Sequence, residues 1–407
     1  SLSDNKINFT NVIKYKTELL SKIFSNFVKS SEKKIRLTFK QFQHENKYWL
    51  DDYAIFSSIK HNYNGKPWIS WKQGFRDRNT KEILNWLKDY SKEIEKEKFY
   101  QFLFYSQLKK LKEYANKKNI KIIGDMPIYV AHDSVDVWAN RNLFYLDDKG
   151  LLTVVAGVPP DYFSETGQLW GNPIFKWGKM KNNKFDWWIK RFNHLFKYVN
   201  ILRLDHFRGF ESYWEIPANS TSAQNGKWVE GPGEEFFKAI KKKLSSINII
   251  AEDLGEITDK VVELKNKFNF PGMKIFQFGF DDEFNPDNVN LPHNYEKNSV
   301  VYAGTHDNQT IKGWYSSLSN KKKADFKKYV GKPQKDIFSN VLKICHQSKS
   351  IFAIYPFQDV LRLDDSSIMN RPSTESDNWE WRFSFSQVND DHLNELRRLT
   401  KEFNRDS

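Results

Sequence analysis

The chain has 407 residues, long enough for one large domain or two or three ordinary ones, and its 39% hydrophobic content excludes a mainly disordered polymer. Lys plus Arg count 64 against 51 Asp plus Glu, a net charge of +13, while the single cysteine, Cys345, excludes an intramolecular disulfide framework and a cysteine-based zinc site. No apolar run approaches the roughly 18–20 residues of a membrane span, and the start of the chain carries no basic-then-apolar signal, so a soluble, cytoplasmic protein with no membrane partner is expected.

Residues 1–118 read as mostly helical. The stretches FTNVIKYKTELLSKIFSNFV and KFYQFLFYSQLKKLKEYANKK repeat apolar residues at helical spacing, and Asn64-Gly65 and Pro67 break the pattern between them. The lysines fall in short helical runs such as KKLKEYANKK, with no zinc-finger spacing, no RNA-recognition aromatic motif and no Walker loop. The positive charge is therefore read as solvated surface, with no nucleic-acid partner.

From residue 119 the pattern changes to short apolar, β-branched runs. In order they are IKIIGD ending at Asp125, NILRLD at Asp205, INIIAED reaching Glu252 and Asp253, MKIFQFGF at 273–280, SVVYAGTHD reaching Asp307, and SIFAIYPFQD reaching Asp359. Helical patterns at 234–246 and 258–268 fall between them. Strand, helix, strand repeated in this way predicts an α/β fold with parallel strands. Five of the six runs finish in a carboxylate, and the ends of parallel strands are where a (β/α)8 barrel places its chemistry. An Asp after a strand is also an ordinary turn or helix-cap residue. A closed barrel needs eight strands, and the deficit of two falls on the N-terminal side. The interval 128–200 reads as a long loop insertion, broken by Pro159-Pro160, Gly167 and Gly171-Asn172-Pro173 and carrying Tyr162, Phe163, Trp170 and Trp177. A second loop spans 218–237.

Asp205, Glu252 and Asp307 follow three separate strands and can converge as glycoside chemistry requires: one carboxylate attacks the anomeric carbon while a second, kept protonated, donates to the leaving oxygen. Arg203 shares a strand face with Asp205 and would keep it ionised and aimed; the alternative is a plain structural ion pair. His306, Asp307 and Asn308 offer donors and an acceptor within one turn, although His306 could equally be a satisfied loop histidine. Of the 14 tryptophans most should be core, and Trp170 and Trp228, in glycine-rich loops, are the candidates for exposed sugar platforms. No His pair has metal-like helical spacing and there is no EF-hand loop, so neither a metal nor a cofactor is expected.

The strings GDMPIYVAHDSVDVW, AGVPPDYFSETGQLWGNPIF, RLDHFRGFESYWEIPA, NGKWVEGPG, AEDLG, PGMKIFQF and GTHDN, taken in this order, resemble the 4-α-glucanotransferase (amylomaltase) family, relatives of the α-amylases. The likeness runs from WLDDYA at 49–54 to MNRPST and NWEWR near 369–382. It implies a retaining (β/α)8 TIM barrel acting on α-1,4-glucans, with a maltooligosaccharide or α-glucan as both donor and acceptor. By motif match Asp205 would be the nucleophile, Glu252 the general acid/base and Asp307 the transition-state stabiliser. Arg203 would position Asp205, His306 and Asn308 would meet sugar hydroxyls, Asp125, at the end of the third barrel strand, would join the substrate-binding residues in a more structural role, and GKWVEGPG would form a lid on the acceptor side. The six runs would be barrel strands three to eight, and residues 1–118 a helical insertion subdomain, the whole a single catalytic domain apparently lacking its first two βα units. Ser373 and Asp377 stand where the family pattern has glycine. An α-amylase-like hydrolase and an inactive glucan-binding remnant are the alternative readings.

Overall fold

The computed structural model describes residues 6–160, 165–244, 247–280, 283–331, 334–372 and 374–406; Tyr162, Phe163 and Ser373 lie outside them. The chain divides into two compact units, Glu18–Phe268 and Ser1–Thr17 with Asn269–Ser407.

In the first unit the periodic apolar residues form helices, chiefly Phe9–Lys29 from residue 18 onward, Lys33–Asn62, Thr80–Asp89 and Ser91–Lys117. Phe24 and Phe27 meet Phe39, Phe99 and Phe102 in an aromatic cluster, with the Phe27 and Phe99 rings stacked at 4.4 Å. Phe99 is fully buried at its centre. Phe99→Ala should therefore cost about 3–5 kcal/mol, read as an earlier loss of far-UV circular dichroism in urea. Indole N–H groups tie the helices to the segment 132–138: Trp68 donates to the His132 carbonyl at 2.8 Å, and Trp138 donates to that of Phe75 at 2.9 Å.

Strands follow in chain order. β1 (Ile123–Met126), β4 (Ile201–Leu204) and β7 (Ile249–Ala251) make a parallel ladder, with β2 (Val154–Val158), β3 (Gln168–Pro173), β5 (Ser212–Pro217) and β6 (Lys227–Glu230) between them in sequence. Helices Asp186–Phe196 and Gly233–Lys243 precede β4 and β7, as crossover connections require. The ladder register sets Asp125 opposite Arg203, and Arg203 opposite Ile250.

The two segments read as loops hold more structure than expected. β2, β3, β5 and β6 form an antiparallel sheet in the order β3-β2-β5-β6. The sequence hides these strands because glycine and proline interrupt them: VVAGV runs into Pro159-Pro160, and QLWGNP carries both residues. Ladder pairing to β5 supplies the order that the local pattern lacks. The expected lid GKWVEGPG is thus partly a strand, with Trp228 directly opposite Trp214 and Lys227 opposite Glu215.

In the second unit β8 (Gly272–Ile275), β9 (Ser299–Tyr302) and β10 (Phe352–Ile354) form another parallel ladder. Two runs are shorter than they read. MKIFQFGF leaves the strand at Ile275 for a 3-10 turn, Phe276–Gly279. Asp359 is no strand-end residue; it lies buried in the one-turn helix Phe357–Val360 because Pro356 ends the strand run and starts the helix. The core of this unit gathers Phe276, Val301, Ile311, Trp314, Phe338 and Cys345, and burial pushes the Cys345 thiol far above its usual range. No helix of the described residues is long and apolar enough to cross a membrane.

Candidate active site

Both ladders present polar side chains at or just past the C-terminal ends of their strands. In the unit Glu18–Phe268 these are Asp125 on β1, Arg203 and Asp205 on and after β4, and Glu252 immediately after β7. Leu204 pairs with Ala251, so the next residues on each strand, Asp205 and Glu252, leave the ladder side by side. The alternation that buries Leu202 and Leu204 turns Arg203 and Asp205 to the other face.

Arg203 holds two carboxylates. Its Nη1 donates to Asp125 Oδ1 at 2.9 Å and Oδ2 at 2.7 Å, and lies 2.9 Å from Asp205 Oδ1. Burial alone would lower the guanidinium pKa, but the charges of Asp205, Asp125 and Glu252 outweigh it and the net shift is upward. Arg203 is therefore a fixed cation. Asp125, expected among the substrate-binding residues in a more structural role, shares the Arg203 Nη1 with Asp205.

Glu252 sits differently. Its Oε2 accepts from the His206 backbone N–H at 2.7 Å and its Oε1 from that of Leu254 at 3.0 Å. Burial pushes its pKa up to about 7, the neighbouring Asp205 charge pushes the same way, and Arg203 with the two N–H donors pulls back. A carboxyl poised near 7 can give a proton and take it back at neutral pH.

His206 makes this geometry. It takes φ 49° and ψ 52°, a left-handed conformation costing a non-glycine residue about 1–2 kcal/mol. The turn aims its N–H at Glu252. Gly209 makes room for the ring: a Cβ there would lie 2.9 Å from His206 Cδ2. Burial, helped by the Arg208 charge, lowers the His206 pKa to about 4, so the ring is neutral at neutral pH, and its buried Nε2 finds no hydrogen-bond partner among the described residues. Trp170 packs edge-on to the His206 ring at 4.8 Å, with Tyr129 at 6.3 Å from the indole. On β6 the Arg208 guanidinium covers the Trp228 ring at 3.6 Å and Trp214 meets it edge-on at 5.2 Å. Trp170 and Trp228 each keep 37% of their surface exposed.

In the unit containing Asn269–Ser407, the turn after β9 carries His306, Asp307 and Asn308. Asn370 Nδ2 donates to Asp307 Oδ1 at 2.6 Å, and His306 Nε2 lies 3.2 Å from Asp307 Oδ2. Asn308 closes the turn: its Oδ1 accepts from the Thr305 N–H and hydroxyl, both at 2.8 Å. Trp379 packs on the His306 ring at 5.2 Å and is 48% exposed. Asp377 takes φ 59°, a conformation suited to glycine that Asp tolerates better than most residues. Asn370, Trp379 and Tyr129 were not singled out in the sequence, although each lies inside a quoted string: MNRPST, NWEWR and GDMPIYV. Among the described residues no group of three or more His, Cys, Asp or Glu side chains is arranged to hold a metal ion.

A family model described as 4-alpha-glucanotransferase matches residues 1–387. The 4-alpha-glucanotransferase of Clostridium butyricum is 42% identical over 411 residues, covering 100% of this chain and 83% of that protein. That of Thermus thermophilus is 39% identical, covering 97% of this chain and 80% of its own. The amylomaltase of Streptococcus agalactiae, solved in complex with acarbose, superposes with a TM-score of 0.94 at 38% identity, covering 98% of this chain and 80% of that one.

Proposed function

The chain belongs to the 4-alpha-glucanotransferase family, and from that premise we propose that Asp205, Glu252 and Asp307 carry out its glucan transfer by a retaining double displacement. The observation that carries the assignment is the pairing at adjacent strand ends of an arginine-held Asp205 with a Glu252 whose pKa lies at about 7. Neighbouring strands lie about 4.8 Å apart, the scale of the roughly 5–5.5 Å carboxyl separation of retaining enzymes.

In the first step Asp205 Oδ attacks the anomeric carbon of an α-1,4-linked donor. The bond to the glycosidic oxygen breaks, and Glu252 gives that oxygen its proton. The shorter glucan or glucose leaves, and the retained segment is held as a β-linked ester on Asp205. In the second step Glu252, now a carboxylate, takes the proton from the 4-hydroxyl of an acceptor sugar. That oxygen displaces Asp205 and restores an α-1,4 bond. Arg203 keeps Asp205 anionic and oriented, with Asp125 fixing Arg203 in turn. Asp307, accepting from Asn370, stabilises positive charge on the distorted sugar, and His306 meets its hydroxyls. Asn308 shapes their turn. Trp170 and Trp228 serve as sugar platforms; their partial exposure and their packing on His206 and Arg208 support this. The strand β6, carrying Trp228, covers the acceptor side and favours a sugar hydroxyl over water.

The accompanying fold reading is a (β/α)8 barrel in which β1, β4, β7, β8, β9 and β10 stand as strands three to eight. The parallel ladders with carboxylates past their ends support it. Residues 1–118 are then an insertion subdomain of one catalytic domain.

Incubation with maltotriose tests the function. Glucose and longer maltooligosaccharides should appear together with reducing ends constant in number. A rise in reducing ends with no longer products would overturn transfer in favour of hydrolysis, and tight binding without turnover would leave only a glucan-binding protein.

A further inference from the structure

We infer that Asp365 is a positioning residue for Asp307, a part of the molecule that the catalytic reading does not otherwise use. The inference rests on the role proposed for Asp307. Two chain segments meet at the Asp307 carboxylate: its own turn, running from β9 into the helix Ile311–Ser317, and the stretch 369–371 that delivers Asn370. Asp365 grips both. Its Oδ2 accepts from Gln309 Nε2 at 2.7 Å, and its Oδ1 accepts from the Thr310 N–H at 3.0 Å and the Thr310 hydroxyl at 3.1 Å. Its backbone carbonyl accepts from Arg371 Nη2 at 3.1 Å, one residue past Asn370. The Asn370 N–H in turn donates to the His306 carbonyl at 3.1 Å.

The space for this carboxylate is specific. A Cβ on Gly313 would fall 1.9 Å from Asp365 Oδ1, so a side chain there would expel the carboxylate from the helix start. Two further anchors hold the backbone of this turn. Gln277 Nε2 donates to the Gln309 carbonyl at 2.8 Å, and the buried Asp359 Oδ1 accepts from the Ile311 N–H at 2.7 Å. These anchors hold the backbone at residues 309 and 311; Ser317 Oγ also donates to Gln309 Oε1 at 3.4 Å and the Gly313 N–H to Thr310 Oγ1 at 3.1 Å, but both lie on the helix of the turn itself, whereas Asp365 ties those side chains to the segment bearing Asn370. Loss of the Asp365 carboxylate leaves its carbonyl bond to Arg371 in place but unties Gln309 and Thr310 from that segment, and should therefore let Asp307 and Asn370 drift apart without unfolding the unit. A displacement of about 1 Å at a catalytic group is worth roughly 100-fold in rate.

The test is steady-state kinetics with maltotriose on folded variants, checked by thermal melting. Asp365→Ala is expected to lower kcat roughly 100-fold while KM changes less than about threefold. Asp365→Asn keeps the acceptor for Thr310 and should recover most of that loss. Gly313→Ala leaves Asp365 in the sequence but displaces its carboxylate, and should lower kcat like Asp365→Ala; it decides the matter if Asp365→Ala does not fold. In an Asp307→Asn background, followed with α-maltotriosyl fluoride, Asp365→Ala should add no more than about threefold, because the two then act as one unit. Folded Asp365→Ala or Gly313→Ala protein with kcat within threefold of the parent, or losses that multiply in full with Asp307→Asn, would overturn the positioning role. Full kcat in Asp307→Asn alone would overturn the reading of Asp307 itself.

Discussion

Replacing Asp205 with asparagine is expected to lower kcat for maltotriose disproportionation by roughly 10⁴–10⁶, the range lost when a covalent nucleophile is removed. The change should leave the fold intact. Arg203 keeps its two contacts to Asp125, and an asparagine oxygen can still face its Nη1. The nucleophilic role has a stereochemical signature that a merely electrostatic role lacks. In Asp205→Ala with α-maltotriosyl fluoride and azide, azide should enter from the vacated face and displace fluoride to give the β-glycosyl azide. Absence of that product, with the protein folded, would assign Asp205 elsewhere. The same substitution should be felt at Glu252. Asp205 is one of the charges raising the Glu252 pKa, so its loss should lower the alkaline pKa of the residual activity.

Asp205 and Glu252 were legible in the sequence for a physical reason. Apart from Arg203, ILRL and IIA are apolar and buried, and a carboxylate directly after such a strand stands out against them. Their side-by-side placement was not legible, because it depends on which strands pair and in what register, and β4 and β7 are joined by a long connection holding β5 and β6. The Arg203–Asp125 contact spans 78 residues and was hidden for the same reason. Sequence spacing put Arg203 against Asp205 alone, whereas the register gives it Asp125 as well.

Other features were hidden by chemistry that a side-chain pattern does not express. The His206 N–H reaches Glu252 only because His206 adopts a left-handed backbone, and no residue type announces that choice as glycine would. Asn370 lies 63 residues from the Asp307 it serves. Asp359 followed an apolar run as Asp205, Glu252 and Asp307 do, yet it is a buried anchor for the Ile311 N–H. An aspartate after an apolar run thus marks a strand end only when nothing between them, such as Pro356, ends the strand first. The antiparallel sheet of β2, β3, β5 and β6 was missed because its order comes from pairing between distant segments.

Glu252→Gln should remove transfer from maltotriose as fully as Asp205→Asn does, and its pH behaviour separates the two roles. As the acid, Glu252 must carry a proton, so kcat/KM of the parent protein should fall tenfold per pH unit above about 7. Glu252→Gln should still accept α-maltotriosyl fluoride, whose leaving group needs no proton, and should accumulate the glycosyl ester on Asp205, visible as added mass. In Glu252→Ala, azide should release that ester as the α-glycosyl azide, opposite in configuration to the product from Asp205→Ala. The raised pKa also carries a stability cost of defined sign. The native state holds the Glu252 proton more tightly than the unfolded chain, whose ordinary value is 4.5. The cost is therefore absent below about pH 4.5, grows as pH rises, and is complete above about 7. Glutamine escapes it, although its amide group cannot accept from both the His206 and Leu254 N–H groups and so loses a pH-independent amount. The stability of Glu252→Gln relative to the parent should then rise between pH 5 and pH 8 by on the order of 2–3 kcal/mol. A flat difference across that interval would place Glu252 at an ordinary carboxylate pKa and leave it unsuited to protonating the leaving oxygen at neutral pH.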